Sequence, residues 1–248
     1  MEFNYKDTAK DIGWDFSKIH YNVEQDNPYY YYHKVIEHIK SDTEMLDIGC
    51  GSGEKSIRYF SNAKKIVMLD NEPEMLNKAK ANVDKYYISE TKLKYEFMLG
   101  DADNKLDFPD ESFDLVVSRH CGANMKEVYR VLKKGGVFIS EDVDDEDCKE
   151  IKDYYKRGQN YNLGCESKEK LFIQCLNAGF SSINLLSFSQ REYYEDSEQL
   201  KFLLKRTPII NGFNDESDND ILYKYCQDFK TSKGILLNRK LFAFELIK

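Results

Sequence analysis

Met45-Leu46-Asp47-Ile48-Gly49-Cys50-Gly51-Ser52-Gly53 decides the fold: an apolar run passes into a turn with glycine at every second position, and Glu54 to Asn62 continues with helical character. A backbone bends this sharply, and comes this close to a ligand, only where side chains are absent. Strand, glycine turn and helix in that order form the opening unit of an α/β sheet. A dinucleotide fingerprint would carry its third glycine three positions after Gly51, but Glu54 stands there and the third glycine comes early, at Gly53. This spacing argues against a nicotinamide dehydrogenase.

The same alternation continues outward. Ile66 to Leu69, Leu93 to Leu99, Leu115 to Ser118 and Val137 to Ser140 are short apolar runs that read as buried strands. Between them, Pro73 to Tyr87 and Met125 to Lys133 are long enough for crossover helices. The expected architecture is a doubly wound α/β sheet with helices on both faces. Upstream, Asn27 and Pro28 read as the cap and first turn of a helix from about Pro28 to Lys40, with Tyr32, Val35, Ile36 and Ile39 as its apolar stripe. The Tyr29 to Tyr32 run either packs where that helix meets the sheet or walls a substrate. Downstream, Ser167 to Ala178 reads as a helix ended by Gly179, Ile183 to Phe188 as a strand, Ser197 to Arg206 as a helix, Asn211 to Asp220 as a polar loop and Leu241 to Ile247 as a last strand.

The chain of 248 residues has no linker long enough to divide it, so a single domain is expected. Its parts would be an arm at 1–27, a ligand-binding core at 28–142 and a cap insertion at 190–232. A formal charge of −8 repels polyphosphate, so nucleic acid is not the expected partner. The six cysteines form no C-x-x-C pair and no close Cys/His group, which reads as reduced thiols in a cytoplasmic protein without a metal site. The acidic run around Glu141 to Asp147 lacks a recognisable ion-binding loop spacing and reads as a solvated face. No apolar run has the roughly 18 residues of a membrane span.

A second strand ending in a carboxylate, Ile66-Val67-Met68-Leu69-Asp70, sharpens the reading, because one carboxylate matches two vicinal hydroxyls of a ribose. With it, the glycine turn resembles motif I of the class I S-adenosylmethionine-dependent methyltransferases, closest to their type 11, small-molecule branch. Leu99-Gly100-Asp101-Ala102, the Phe108 to Val116 lead-in and the Glu127 to Gly136 helix and turn resemble that family's later motifs in the right order. Lys134 replaces the family's common proline.

The resemblance covers about Pro28 to Ser140 and implies a Rossmann-like, seven-stranded sheet. It implies S-adenosyl-L-methionine as donor, S-adenosyl-L-homocysteine as product and a small-molecule acceptor. The Gly49, Gly51 and Gly53 backbone would border the methionine part, and Asp47 would organise the turn or reach the donor ammonium. Asp70 would take the ribose hydroxyls, with Asn71 and Met75 against the adenosine. Asp101 and Ala102 would meet the adenine, unless Asp101 simply caps a turn. Ser118 and His120 end the fourth strand, where the transferring methyl group is expected. His120 is then either a general base or a satisfied histidine on the rim. Methylation of RNA or protein, and a non-enzymatic module that binds the donor or its product, stay open as alternatives.

Overall fold

A computed structural model describes residues 8, 11, 16, 18–26, 28–86, 93–162 and 167–248. The expected cap at Asn27 and most of the expected arm, Trp14 included, lie outside the described residues, as does Cys165. The chain divides into two compact units. Tyr30–Asp142, Lys170–Leu186 and Phe242–Lys248 form one, called here the turn unit. Met1–Tyr29, Val143–Glu169 and Ser187–Leu241 form the other, called the arginine unit after Arg239, which pairs with two of its buried carboxylates.

In the turn unit, strands β2 (Glu44–Ile48), β3 (Lys65–Asp70), β4 (Lys94–Leu99), β5 (Phe113–Arg119) and β6 (Leu132–Val143) lie in the order β6-β5-β2-β3-β4. All four pairings are parallel, with Asp47 opposite Met68 on one side and Val117 on the other. Crossover helices α2 (Glu54–Tyr59), α3 (Pro73–Tyr86) and α4 (Met125–Val131) connect them, after α1 (Tyr31–Glu37). Strands β7 (Ser182–Tyr194) and β9 (Gly234–Ile247) extend the β6 side, and α6 (Ser167–Ala178) precedes β7. Leu46, Ile48, Val67, Val116, Val128 and Phe138 are buried in one cluster with Phe244 and Leu246. Each such side chain contributes roughly 1.5–3 kcal/mol when buried.

The arginine unit contains β1 (Tyr21–Glu24), α5 (Lys149–Tyr155), α7 (Ser197–Arg206), α8 (Asp215–Asp228) and β8 (Lys230–Thr231). β1 pairs antiparallel with β7 through Tyr21 and Tyr194, and β8 pairs antiparallel with β9. Ile151, Tyr194, Leu200, Leu204, Leu222, Tyr225 and Leu237 form its core.

Several sequence expectations need correction. The seven expected strands are all present, and among the described residues β1 and β8 add two short antiparallel pairings that no apolar run announces. The helix expected from Pro28 begins at Tyr31, whose preceding residue Tyr30 offers no side-chain cap. The helix expected to Lys133 stops at Val131, because Leu132 already has extended backbone at φ −69° and ψ 137°. Asn211 to Asp220 is not a loop throughout. Asn214 accepts hydrogen bonds from the backbone N–H groups of Glu216 (2.8 Å) and Ser217 (3.3 Å) and starts α8. Acidic residues in that first turn favour the positive end of the helix dipole, so a segment that reads as polar loop is a helix N-terminus.

Candidate active site

The glycine turn is fixed by backbone hydrogen bonds before any side chain contributes. Gly49 and Cys50 both donate N–H to the Leu69 carbonyl, at 2.8 and 3.1 Å, and Gly53 donates to the Cys50 carbonyl at 3.0 Å. Gly49, Gly51 and Gly53 have φ of 68°, 56° and 70°, left-handed values that favour glycine. Two of them differ in what lies beside them. A Cβ on Gly49 would stand 2.6 Å from the Cβ of Cys121, so its smallness serves packing. A Cβ on Gly51 would meet nothing within 4 Å, so that position faces open space.

Two carboxylates flank this turn. Asp70, at the end of β3, accepts the Gly51 N–H at 2.8 Å and the Glu72 N–H at 2.9 Å, one on each oxygen. Asp47, on β2, accepts a short hydrogen bond from the Ser56 hydroxyl at the start of α2. Both side chains are largely buried, and no Lys or Arg among the described residues pairs with either. Burial pushes the Asp47 carboxyl up to about 7, against the opposing Ser56 hydrogen bond and with a further contribution from Asp70. Burial likewise raises Asp70, and its backbone hydrogen bonds oppose that. A buried anion without a counter-charge is costly and is most simply satisfied by a cationic or hydroxyl-bearing ligand.

The remaining sequence candidates fall as follows. Asn71 is exposed immediately after Asp70, and Met75 is buried on α3. Asp101 is exposed and accepts from the Asp103 N–H (3.0 Å) and the Asn104 amide (2.8 Å), so its carboxylate organises the turn after β4. Ala102 is buried, and its carbonyl accepts the Asn124 N–H at 2.8 Å, tying that turn to the start of α4. Ser118 is buried on β5 and donates its hydroxyl to the Cys121 carbonyl at 2.6 Å. His120 follows β5 with its side chain 36% exposed.

Other residues of this site carry no motif. The Arg119 Nε donates to the buried Glu141 carboxylate at 2.7 Å, and its guanidinium lies 5.7 Å from the Tyr32 ring centroid. Tyr32 stacks on Tyr59 at 4.5 Å and Tyr31 is buried, so these two rings pack, whereas Tyr30 is exposed. Cys121 is pushed up to about 12 by burial, then by Asp70, Asp142, Asp103 and Asp47, which keeps it a neutral thiol and not a nucleophile. The five cysteines described are all free, and no group of three or more potential metal ligands occurs among the described residues. Among the same residues no helix is long and apolar enough to cross a membrane.

The turn, its two uncompensated carboxylates and the open space at Gly51 fit a ligand that combines a cationic amino-acid end with ribose hydroxyls. Comparison with known proteins gives the family and the fold. Residues 39–205 match the model of a family described as a methyltransferase domain. A sterol 24-C-methyltransferase of Aspergillus fumigatus is 31% identical over 154 residues, covering 54% of this chain and 40% of that protein. A demethylmenaquinone methyltransferase of Leptospira interrogans is 31% identical over 112 residues, covering 40% of this chain and 42% of that protein. The chain thus spans less than half the length of these curated relatives. Among solved structures, YcgJ of Bacillus subtilis has a TM-score of 0.58 at 18% identity, covering 88% of this chain and 97% of that one. A SAM-dependent methyltransferase from Aquifex aeolicus has a TM-score of 0.55 at 15% identity and covers 99% of both chains. At such identities the structural likeness speaks for the fold, and the family match over more than half of the chain settles membership: this protein belongs to the methyltransferase domain family.

Proposed function

We propose that the chain is an S-adenosylmethionine-dependent methyltransferase acting on a small organic acceptor. The observation that carries this reading is the pair of buried carboxylates, Asp47 and Asp70, beside a glycine turn with open space at Gly51. When bound, S-adenosylmethionine would supply a methyl group made electrophilic by a sulfonium.

Each Asp70 oxygen already accepts one backbone N–H and retains capacity for a ribose hydroxyl. Asp47 would meet the donor ammonium, and the Gly49, Gly51 and Gly53 backbone would border the methionine part. Asn71 and Met75 would lie against the adenosine, and Asp101 and Ala102 beside the adenine. Ser118 would hold the end of β5 through its bond to Cys121, and His120 would serve as base. Methyl transfer asks mainly for in-line placement of the acceptor, so binding geometry carries most of the rate. The net charge of −8 disfavours a nucleic-acid acceptor, and relatives named for sterol and demethylmenaquinone substrates favour a small molecule. The segments 1–27 and 190–232 would act as lid and substrate cap, which hydrogen exchange with and without the donor would test.

Calorimetry with S-adenosylmethionine and S-adenosylhomocysteine tests the donor assignment, with NAD as the control that should not bind. Release of S-adenosylhomocysteine that depends on an added acceptor tests the enzyme. Donor binding without any such release across a metabolite pool would favour a binding module instead.

A further inference from the structure

Two successive residue pairs cross the carboxyl ends of β5 and β6. The first is Arg119 with Glu141, joined at 2.7 Å. In the second, His120 brings its imidazole Nδ1 to 3.8 Å from Oδ1 of Asp142. His120 has φ of 56°, a left-handed conformation uncommon outside glycine, and its N–H is held by the Glu141 carbonyl at 2.9 Å. Strain of this kind persists only where the surroundings fix it, and it gathers at functional positions. Both side chains of the pair are about one third exposed, so the imidazole is reachable from solvent. Side chains alternate along a strand, so Ser140 shares a face of β6 with Asp142. The Ser140 hydroxyl is buried and has no hydrogen-bond partner among the described residues. A buried hydroxyl in that condition would gain from any polar group of a bound molecule that reached it.

We propose that His120 and Asp142 act as a pair, with Asp142 accepting the Nδ1–H so that the Nε2 lone pair is left for the acceptor. Which imidazole nitrogen carries the proton is set by the partner of the other. The acceptor then belongs to the protic class, a hydroxyl or an amine N–H, with the Ser140 hydroxyl as its hydrogen-bond partner. This rests on the methyltransferase reading. The acceptor O–H or N–H bond breaks and its proton goes to Nε2 as the heteroatom forms a bond to the methyl carbon. The carbon–sulfur bond breaks with its electron pair left on sulfur, and the imidazolium returns the proton to solvent. In this scheme Asp142 is a positioning residue and does not touch the acceptor.

The pair can be read without donor or acceptor. In uniformly 15N-labelled protein at pH 8, long-range nitrogen–proton correlations report the tautomer of each of the four imidazoles, and His120→Asn identifies the signal of His120. The Nδ1–H tautomer is expected, reverting in Asp142→Ala to the Nε2–H form that isolated imidazole prefers. Should Asp142→Ala fail to fold, Asp142→Asn removes the charge and keeps the shape. An Nε2–H tautomer in the native protein, or one that ignores both Asp142 variants, overturns the pair. With S-adenosylmethionine and phenol, tyramine or thiophenol as probes, His120→Asn should lower S-adenosylhomocysteine release from the phenol or the amine about 100-fold. Turnover of thiophenol alone would overturn the protic assignment. Failure of S-adenosylmethionine to bind in calorimetry would instead overturn the methyltransferase reading and leave the tautomer result standing.

Discussion

Two pairs of buried carboxylates, one pair in each unit, are satisfied in opposite ways. In the arginine unit, Arg239 lies between Asp147, at 2.9 Å, and Glu192, at 3.2 Å, and Asp147 also accepts the Lys240 N–H at 2.9 Å. The charge balance there is internal. In the turn unit, Asp47 and Asp70 have, among the described residues, a hydroxyl and backbone N–H groups as hydrogen-bond partners and no cation. Burial raises both carboxyls there, whereas the two anions beside Arg239 push its guanidinium up against its own burial. A cluster that supplies its own counter-charge holds a fold together, and one that does not leaves its desolvation cost to be met, under the proposed function, by the charge of a ligand.

The largest effect that could break this contrast is in the arginine unit. Arg239→Met would leave two buried anions without their cation and should destabilise the protein by about 3–5 kcal/mol in urea denaturation, with donor affinity in the remaining folded protein nearly unchanged. An unaffected unfolding midpoint would show that the cluster is not structural.

Asp70→Ala should do the reverse. It removes a charged hydrogen-bond acceptor for the ribose, so calorimetric affinity for S-adenosylmethionine should fall by about 1.5–3 kcal/mol, roughly 10- to 150-fold. Equal affinity in a folded variant would remove the ribose assignment.

Asp47 should give a pH signature in stability. Its folded carboxyl keeps a proton to about 7, against 3.8 for the ordinary group, so the folded state binds the extra proton between those values. Its contribution to stability is complete below pH 4 and is lost as pH rises through 7. Asp47→Asn should therefore flatten the decline in stability between about pH 4 and pH 7. Donor binding near pH 7 should also release protons, measurable as a dependence of the calorimetric enthalpy on the buffer. No proton release would mean that Asp47 does not meet the donor cation.

The smallest effect separates the glycines. Gly51→Ala should cost about 1–2 kcal/mol from the left-handed backbone alone, and Gly49→Ala more, because its Cβ collides with Cys121. Equal costs in denaturation would contradict the difference in packing.

How much of this was legible in the sequence depended on where the information lay. Strand β2 and the helix Ser197–Arg206 follow their apolar patterns to within a residue, because burial on a sheet or along a helix face leaves a regular period. The helix at Asp215–Asp228 was missed, because its first two turns are acidic and its buried Leu222, Tyr225 and Cys226 come only near its end. Strand β1 was missed because four residues with largely exposed side chains pair with β7 through the backbone, which has no side-chain signature. In the site, Asp47, Asp70 and the three glycines could be read because their spacing is local to one turn and the strand that follows. Asp142 read as one member of a solvated acidic run, and nothing in its neighbours marks it as the partner of His120.

The sequence alone determined the alternation of strands and helices, the glycine turn and the family, since each is encoded in short, contiguous patterns. Only the tertiary structure decided that Asp47 and Asp70 are buried without a cation, that Gly51 faces open space while Gly49 meets Cys121, and that His120 stands across from Asp142. Those are relations between residues 19 to 72 positions apart, and their energies come from desolvation and contact, which exist only once the strands are side by side.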